Sequence, residues 1–219
     1  MKVSVVQDIL SANDQLAAQN RKLFDTHGIC VINVMASPGG GKTSLILRTI
    51  EALQSQLRIG VIEGDIASTV DADRVAARSV PVVQINTGGQ CHLDAPMIQR
   101  ALNQLPLGDL DLILIENVGN LVCPVGFGLG EDLKVMLASV PEGDDKPYKY
   151  PGIFVAVDAV VINKTDLLPY LRFDVAAFRE LVTGMNPNVR VFEVSCETSE
   201  GIEDWAEWVT QERAKRLQS

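Results

Sequence analysis

The first chemical signal is a glycine-rich turn that follows an apolar run at 29–35 and precedes a helix-like run. Residues 36–43 read Ala-Ser-Pro-Gly-Gly-Gly-Lys-Thr. Glycines let backbone N–H groups turn toward phosphate oxygens, and the next helix adds its positive N-terminal end. The segment predicts a phosphate-binding loop, with Lys42 at the β- and γ-phosphates and Thr43 on Mg²⁺. Ala36 stands where the usual pattern begins with Gly. The residues predicted to contact nucleotide phosphates are Pro38, Gly39, Gly40, Gly41, Lys42, Thr43 and Ser44.

A second motif, Asn-Lys-Thr-Asp at 163–166, follows another apolar strand and indicates which base is bound. Asp166 can accept from both N1–H and the exocyclic amine of guanine, whereas adenine offers no such pair. The stem of Lys164 can lie along the purine, and Asn163 can hold this loop against the phosphate loop. The pair of motifs therefore predicts GTP rather than ATP. Backbone donors that could contact the guanine O6 are those of Ser195 and Cys196.

Two carboxylates at strand ends are candidates for Mg²⁺ and for catalysis. Asp65 closes Glu63-Gly64-Asp65 and could hold Mg²⁺ or orient the attacking water, or it could cap a helix. Glu116 ends a buried strand at the place where phosphate-loop proteins put a metal-facing acid. A backbone N–H at Gly119 could meet the γ-phosphate, which would make the following loop sensitive to GTP versus GDP. The predicted catalytic residues are Lys42, Asp65 and Glu116, and the predicted Mg²⁺ ligands are Thr43, Asp65 and Glu116.

A third group, Cys91-His92 and Cys123, is not part of general GTPase machinery. Two thiolates and an imidazole suit Zn²⁺ or Ni²⁺. Three ligands leave a tetrahedron incomplete, so water or a second subunit would supply the rest, or the ion is bound only transiently. The alternative is that these are simply buried thiols. Cys30 lies inside a predicted strand and is assigned to the core.

Composition narrows the class of protein. The chain has 219 residues and a net charge of −9, which argues against nucleic acid or an anionic membrane as the main partner. No apolar run is long enough to span a membrane, and the N-terminal residues lack a sustained apolar secretion segment. With four cysteines and a nucleotide site, a cytoplasmic protein with reduced thiols is expected.

The elements that must position these motifs alternate between strand and helix. Near-continuous apolar strands are typical of a buried parallel sheet, so we predict a three-layer α/β phosphate-loop NTPase fold with a mostly parallel twisted sheet of about seven strands. An N-terminal helix at 1–28 and a GTP-binding domain at 29–219 would form one compact unit, with ligands at the strands' carboxyl ends. Residues 141–147 are predicted to form a polar loop. Predicted strands cover 29–35, 59–63, 82–85, 110–116, 135–140, 159–163 and 191–195. Predicted helices cover 5–26, 43–56, 70–78, 95–105, 175–185 and 202–217.

Four segments together resemble the hydrogenase nickel-incorporation GTPases, the HypB family. They are Glu-Gly-Asp at 63–65, Cys-His-Leu-Asp-Ala at 91–95, Glu-Asn-Val-Gly-Asn-Leu-Val-Cys-Pro at 116–124 and Asn-Lys-Thr-Asp-Leu-Leu-Pro-Tyr at 163–170. The second and third are highly specific, and the resemblance covers essentially the whole chain after the first helix.

This resemblance implies a GTPase of the dimerising class that includes the signal recognition particle GTPases. It implies a metallochaperone that helps deliver Ni²⁺ to [NiFe]-hydrogenase, with Cys91, His92 and Cys123 as metal ligands near a homodimer interface. GTP or metal would promote the dimer. A HypA-type nickel chaperone and the hydrogenase large subunit are the implied partners.

Three other functions share parts of this pattern. A urease-type nickel GTPase shares the fold, but its metal motif is usually Cys-Pro-His, whereas Cys91 and His92 are adjacent. A GTP-binding regulatory or scaffold protein would use the cysteines for structural zinc. A phosphate-loop kinase is disfavoured by the guanine motif at 163–166.

Departures from the family refine the expectation. Some members carry an N-terminal cysteine motif or a His-rich tract, but this sequence shows neither, and its only histidines are His27 and His92. Transient transfer rather than tight nickel storage is therefore expected. No arginine finger or catalytic Gln is evident, so intrinsic GTP turnover should be slow.

Overall fold

A computed structural model of the protein describes residues 5–66 and 70–217. Positions 1–4, 67–69 and 218–219 of the two predicted domain ranges lie outside the described residues. The described chain forms one sheet of seven parallel strands in the order β3-β2-β4-β1-β5-β6-β7. The strands are β1 (Cys30–Ala36), β2 (Ile59–Asp65), β3 (Val82–Asn86), β4 (Leu112–Glu116), β5 (Leu133–Ser139), β6 (Ala159–Asn163) and β7 (Arg190–Val194).

Helices cover both faces of this sheet. Alternate strand residues pack against α2, α3 and α8 on one face, and the intervening residues pack against α1, α4, α6 and α7 on the other. This arrangement confirms the predicted three-layer fold. The helices are α1 (Val5–His27), α2 (Lys42–Leu53), α3 (Val70–Ala76), α4 (Ala95–Leu102), α5 (Lys146–Lys149), α6 (Pro151–Ala156), α7 (Val175–Met185) and α8 (Ile202–Arg216).

The first helix is joined firmly to the rest of the domain. Phe24 is fully buried in the core. The Asn20 side chain donates to the backbone oxygens of Ala95, at 3.0 Å, and Leu129, at 3.1 Å. Since a buried amide needs such partners, these bonds fix how α1 lies against α4.

Every predicted strand and helix is present, and the differences lie at their ends. The strand predicted to start at residue 110 starts at Leu112, because the Leu110 N–H closes a short turn onto the Leu107 carbonyl. The prediction of a polar loop at 141–147 is wrong in part. A 3₁₀ turn at Val140–Glu142 is held by a Ser139–Glu142 capping box, and α5 begins at Lys146.

No helix in the described ranges is both apolar enough and long enough to cross a bilayer.

Candidate functional site

The phosphate loop connects β1 to α2 at the carboxyl edge of the sheet. Gly41 precedes α2 with φ at +97°, a left-handed conformation that strongly favours glycine. A Cβ there would also collide with the Asn163 side-chain amide. Asn163 donates to the Gly40 carbonyl at 3.1 Å, and Lys164 Nζ donates to the Gly39 carbonyl at 2.8 Å. The base-reading motif and the phosphate loop are thus held together.

The first residues of α2 face the acid that ends β4. Thr43 Oγ1 donates to Glu116 Oε1 at 3.0 Å, and Lys42 Nζ lies 3.8 Å from the same oxygen. Glu116 is 3% exposed, and its other oxygen, Oε2, has no hydrogen-bond partner. Burial raises the pKa of Glu116 to about 7, although Lys42 and Thr43 act in the opposite direction. A hydroxyl beside an unsatisfied carboxylate is a donor set that fits Mg²⁺.

Glu63 and Asp71 extend this acidic group and were not singled out from the sequence. Glu63 lies opposite Glu116 across the β2–β4 pair. One oxygen from each of Glu63, Asp71 and Glu116 lies within 4.8 Å of the others. Glu63 Oε2 is buried and has no hydrogen-bond partner. Burial, and to a smaller extent repulsion from Glu116, raises the pKa of Glu63 to about 8. Such crowding is relieved by a divalent cation.

Asp65, the acid chosen from the sequence, occupies a different position. It ends β2 and is half-buried, and it is not one of the three grouped carboxylates, which are Glu63, Asp71 and Glu116. Its assignment to Mg²⁺ or to the attacking water stays a prediction. The repeated acids at 71 and 73, at the start of α3, were the sequence signal that could have pointed to Asp71.

The residues predicted to read guanine are joined to the loop after β7. Ser195 Oγ donates to Asp166 Oδ1 at 2.6 Å, and the Thr198 N–H donates to Ser195 Oγ at 3.1 Å. Arg48, from α2, donates to the Cys196 carbonyl at 2.7 Å. Sequence reasoning assigned only backbone contacts to Ser195, so its side-chain bond to Asp166 is an addition.

Cys30 and Cys196 do not belong to the predicted metal site, and burial keeps their thiols unreactive. Burial raises the pKa of Cys30 to about 12 and that of Cys196 to about 11, so both thiols stay protonated. Cys30 packs in the core on β1, as predicted.

Cys91, His92 and Cys123 come together as the sequence predicts. Their ligand atoms all lie within 4.8 Å of one another, and each residue is half-buried. His92 stacks on Phe127 with ring centroids 3.9 Å apart. Burial lowers the pKa of His92, which favours the neutral, metal-binding form. The donor chemistry fits a borderline transition-metal ion such as Ni²⁺ or Zn²⁺.

Comparison with known proteins places the chain in a family. A family model described as the CobW/HypB/UreG nucleotide-binding domain matches residues 30–193. The hydrogenase maturation factor HypB of Azotobacter chroococcum mcd 1 is 49% identical over 217 residues, which span 99% of this chain and 71% of that protein. The chain belongs to the HypB family. The resemblance inferred from the four sequence segments is therefore confirmed.

Solved HypB structures agree with the fold. HypB from Helicobacter pylori, crystallised in complex with nickel, is 37% identical with a TM-score of 0.89, over 95% of this chain and 98% of that one. HypB from Archaeoglobus fulgidus is 40% identical with a TM-score of 0.87, over 93% of this chain and 99% of that one. The parallel seven-stranded sheet is thus the HypB fold.

Proposed function

We propose that this chain is a GTPase that binds nickel and assists nickel insertion into a [NiFe]-hydrogenase during maturation. The observation that carries the proposal is the segment that follows β4. Glu116 at its start contacts Thr43 of the phosphate loop, and Cys123 further along meets Cys91 and His92. One short segment therefore belongs to both a GTP site and a metal site.

In the nucleotide site, the loop that precedes α2 would bind the phosphates and the grouped carboxylates would hold Mg²⁺. Lys42 would contact the β- and γ-phosphates, where its charge offsets that of the phosphate oxygens. Thr43 and Glu116 would be Mg²⁺ ligands, with Glu63 and Asp71 beside them. Mg²⁺, when bound, stabilises negative charge on the transferring phosphoryl group. Asp65 is the candidate that orients the attacking water.

Base selection would rest on Asp166. Its carboxylate can accept both hydrogen-bond donors of the guanine edge. Ser195 occupies one carboxylate oxygen with a 2.6 Å bond, which orients the group before the base arrives. The stem of Lys164, whose Nζ is held by the Gly39 carbonyl, would flank the purine.

On the metal side, nickel is the cargo rather than a resident cofactor. Cys91, His92 and Cys123 supply three protein ligands, so further positions remain for water, a symmetric partner or the receiving protein. An incomplete protein shell favours transfer because an acceptor can bind the ion before the donor releases it. GTP hydrolysis at the neighbouring site would control that release.

The partners follow from this role. A homodimer, promoted by GTP or metal, would place two metal sites near a shared surface. Ile66, Val70 and Val122 are large apolar side chains exposed by 48%, 62% and 62%, and they border the nucleotide and metal segments. A HypA-type nickel chaperone and the hydrogenase large subunit would be the donor and the recipient, in the cytoplasm. Neither nucleic acid nor a membrane is a proposed partner.

The decisive experiment combines molar mass with metal content on one sample. The chain is loaded with GDP or a non-hydrolysable GTP analogue, with and without Ni²⁺, and is analysed by light scattering and by elemental analysis. We expect one bound ion per chain or fewer, slow Mg²⁺-dependent GTP turnover, and a larger dimer fraction with the GTP analogue. GTP turnover in a separate phosphate-release assay, with no nickel bound in either nucleotide state, would leave a GTPase but contradict the metallochaperone role.

A further inference from the structure

The backbone after β4 is clamped against the phosphate loop. The Asn120 N–H donates to the Ala36 carbonyl at 2.9 Å, at the point where β1 enters that loop. Gly119 packs so closely on Pro38 that a Cβ would lie 3.0 Å from the Pro38 nitrogen. A shift of the phosphate loop would therefore displace residues 119 and 120 as well.

From this clamp, the Asn120 side chain reaches the backbone of both cysteine ligands. Asn120 Nδ2 donates to the Cys91 carbonyl at 3.3 Å. Asn120 Oδ1 accepts from the Val122 N–H at 2.8 Å and from the Cys123 N–H at 3.4 Å. One amide group thus holds the two loops that bring the thiols together.

A second amide from the same segment supports the other side of the site. Asn117 is fully buried, and its Oδ1 accepts from the Leu93 N–H at 3.1 Å and from the Val118 N–H at 3.0 Å. Leu93 directly follows His92, so Asn117 fixes the backbone next to the imidazole. Asn117 is itself held by Asn33 of β1, to which its Nδ2 donates at 3.1 Å.

The two halves of the Asn120 amide do different things. An oxygen that accepts from residues two and three positions ahead is an ordinary local turn and would form in many loops. The Nδ2 bond to Cys91 spans from one strand-end loop to another and is not required by the turn. Of the bonds made by the Asn120 amide, this second one can pass a displacement of the β4 loop to the Cys91-His92 segment.

We infer that Asn120 is the positioning residue that links nucleotide state to the geometry of the nickel site, through its bond to the Cys91 carbonyl. This inference rests on the proposed function, since it concerns how the two sites of that function communicate. It also gives a reason for the asparagines that flank Gly119 in the segment 116–124. Asn117 holds the His92 side and Asn120 holds the two cysteine sides.

The test compares nickel affinity in two nucleotide states for three variants. Ni²⁺ is titrated by calorimetry into the full chain loaded with GDP or with the GTP analogue. Asn120→Ala removes both functions of the amide. Asn120→Asp keeps an oxygen for the turn but replaces the donor that faces Cys91. Asn186→Ala is the matched control, because that amide also holds backbone carbonyls but lies away from both sites.

In the wild type and in Asn186→Ala, we expect the two nickel affinities to differ by about fivefold or more, the lower range of allosteric coupling. In both Asn120 variants the ratio should fall toward one, even if the mean affinity also changes. The thiolate-to-nickel charge-transfer band gives a second readout. It should shift between nucleotide states in the wild type and stay constant in the variants.

Several results would overturn the inference. Equal affinities in the wild type would mean that there is no coupling for Asn120 to transmit. A ratio kept by Asn120→Asp but lost by Asn120→Ala would assign the coupling to the local turn, and a ratio kept by both would remove Asn120 from it. A wild-type chain that binds no nickel in either state would instead contradict the proposed function.

Discussion

Glu63→Gln should stabilise the metal-free chain, and increasingly so as the pH rises. Glu63 is buried beside Glu116 and has a pKa of about 8, well above the ordinary value of 4.5. A carboxyl whose pKa is raised by folding binds a proton that the unfolded chain has already lost. Stability is therefore lost progressively as the pH rises from about 5 to 8.

The size of the effect follows from that pKa. Each pH unit in this window lowers the free energy of unfolding of the wild type by about 1.4 kcal/mol relative to Glu63→Gln. Between pH 6 and pH 8, the advantage of Glu63→Gln in free energy of unfolding should grow by about 2 to 3 kcal/mol. Glutamine keeps the shape of the neutral acid, and its amide can donate to the unpartnered Glu116 Oε2. Glu116 is present in both chains, so its own titration largely cancels.

The assay is urea unfolding at pH 6 and pH 8, in EDTA and in millimolar Mg²⁺. Exposed Glu203, in the first turn of α8, supplies the control substitution Glu203→Gln. Mg²⁺ should stabilise the wild type more at pH 8 than at pH 6, because it binds the ionised carboxylates, and it should stabilise Glu63→Gln less. An advantage of Glu63→Gln that is the same at both pH values would refute the reasoning, as would an equal gain from Mg²⁺ in both chains.

Three further predictions concern binding and turnover. Asp166→Asn places an amide donor against the guanine amine, so nucleotide preference should move from GTP toward xanthosine triphosphate in competition binding. Unchanged GTP affinity with no gain in affinity for xanthosine triphosphate would contradict the assignment. Lys42→Ala should abolish GTP hydrolysis in a phosphate-release assay and weaken GTP binding strongly, and wild-type turnover would remove the phosphate-loop interpretation. Cys91→Ser and Cys123→Ser should each reduce nickel affinity at fixed pH by tenfold or more, on the order of a lost ligand, while GDP affinity stays near that of the wild type.

The fold was predictable because the strands of a buried parallel sheet carry their own signal. The run at 159–163 is apolar throughout and is found as β6 with the same bounds. Short helices were harder, since α5 and α6 span only Lys146–Lys149 and Pro151–Ala156. Prolines near their starts read as loop signals in the sequence, although proline is also favoured in a first helical turn.

The sequence predicts the candidate site residues that belong to recognisable motifs. It does not predict contacts that depend on how neighbouring strands are paired. Cys91 and Cys123 meet as expected, because both follow strands whose carboxyl ends lie at one edge of the sheet. The sequence alone points to Asp65, because spacing does not say which acid of β2 lies opposite Glu116. The pairing of β2 with β4 settles that point. Likewise, no local pattern in the sequence reveals the hydroxyl bond from Ser195 to Asp166.

The order of the strands explains why nucleotide and metal can share a segment at all. In the sheet, β4 lies between β1, which carries the phosphate loop, and β2, which carries Glu63 and is followed by β3. The loop after β4 therefore borders the phosphate loop on one side and the Cys91 loop, beyond β3, on the other. Asn120, in that loop, contacts both neighbours, with its backbone N–H on the Ala36 carbonyl and its side-chain amide on the Cys91 carbonyl. A metal site after β6 or β7 would instead lie beyond β5, next to the predicted base-reading residues and away from the loop after β4.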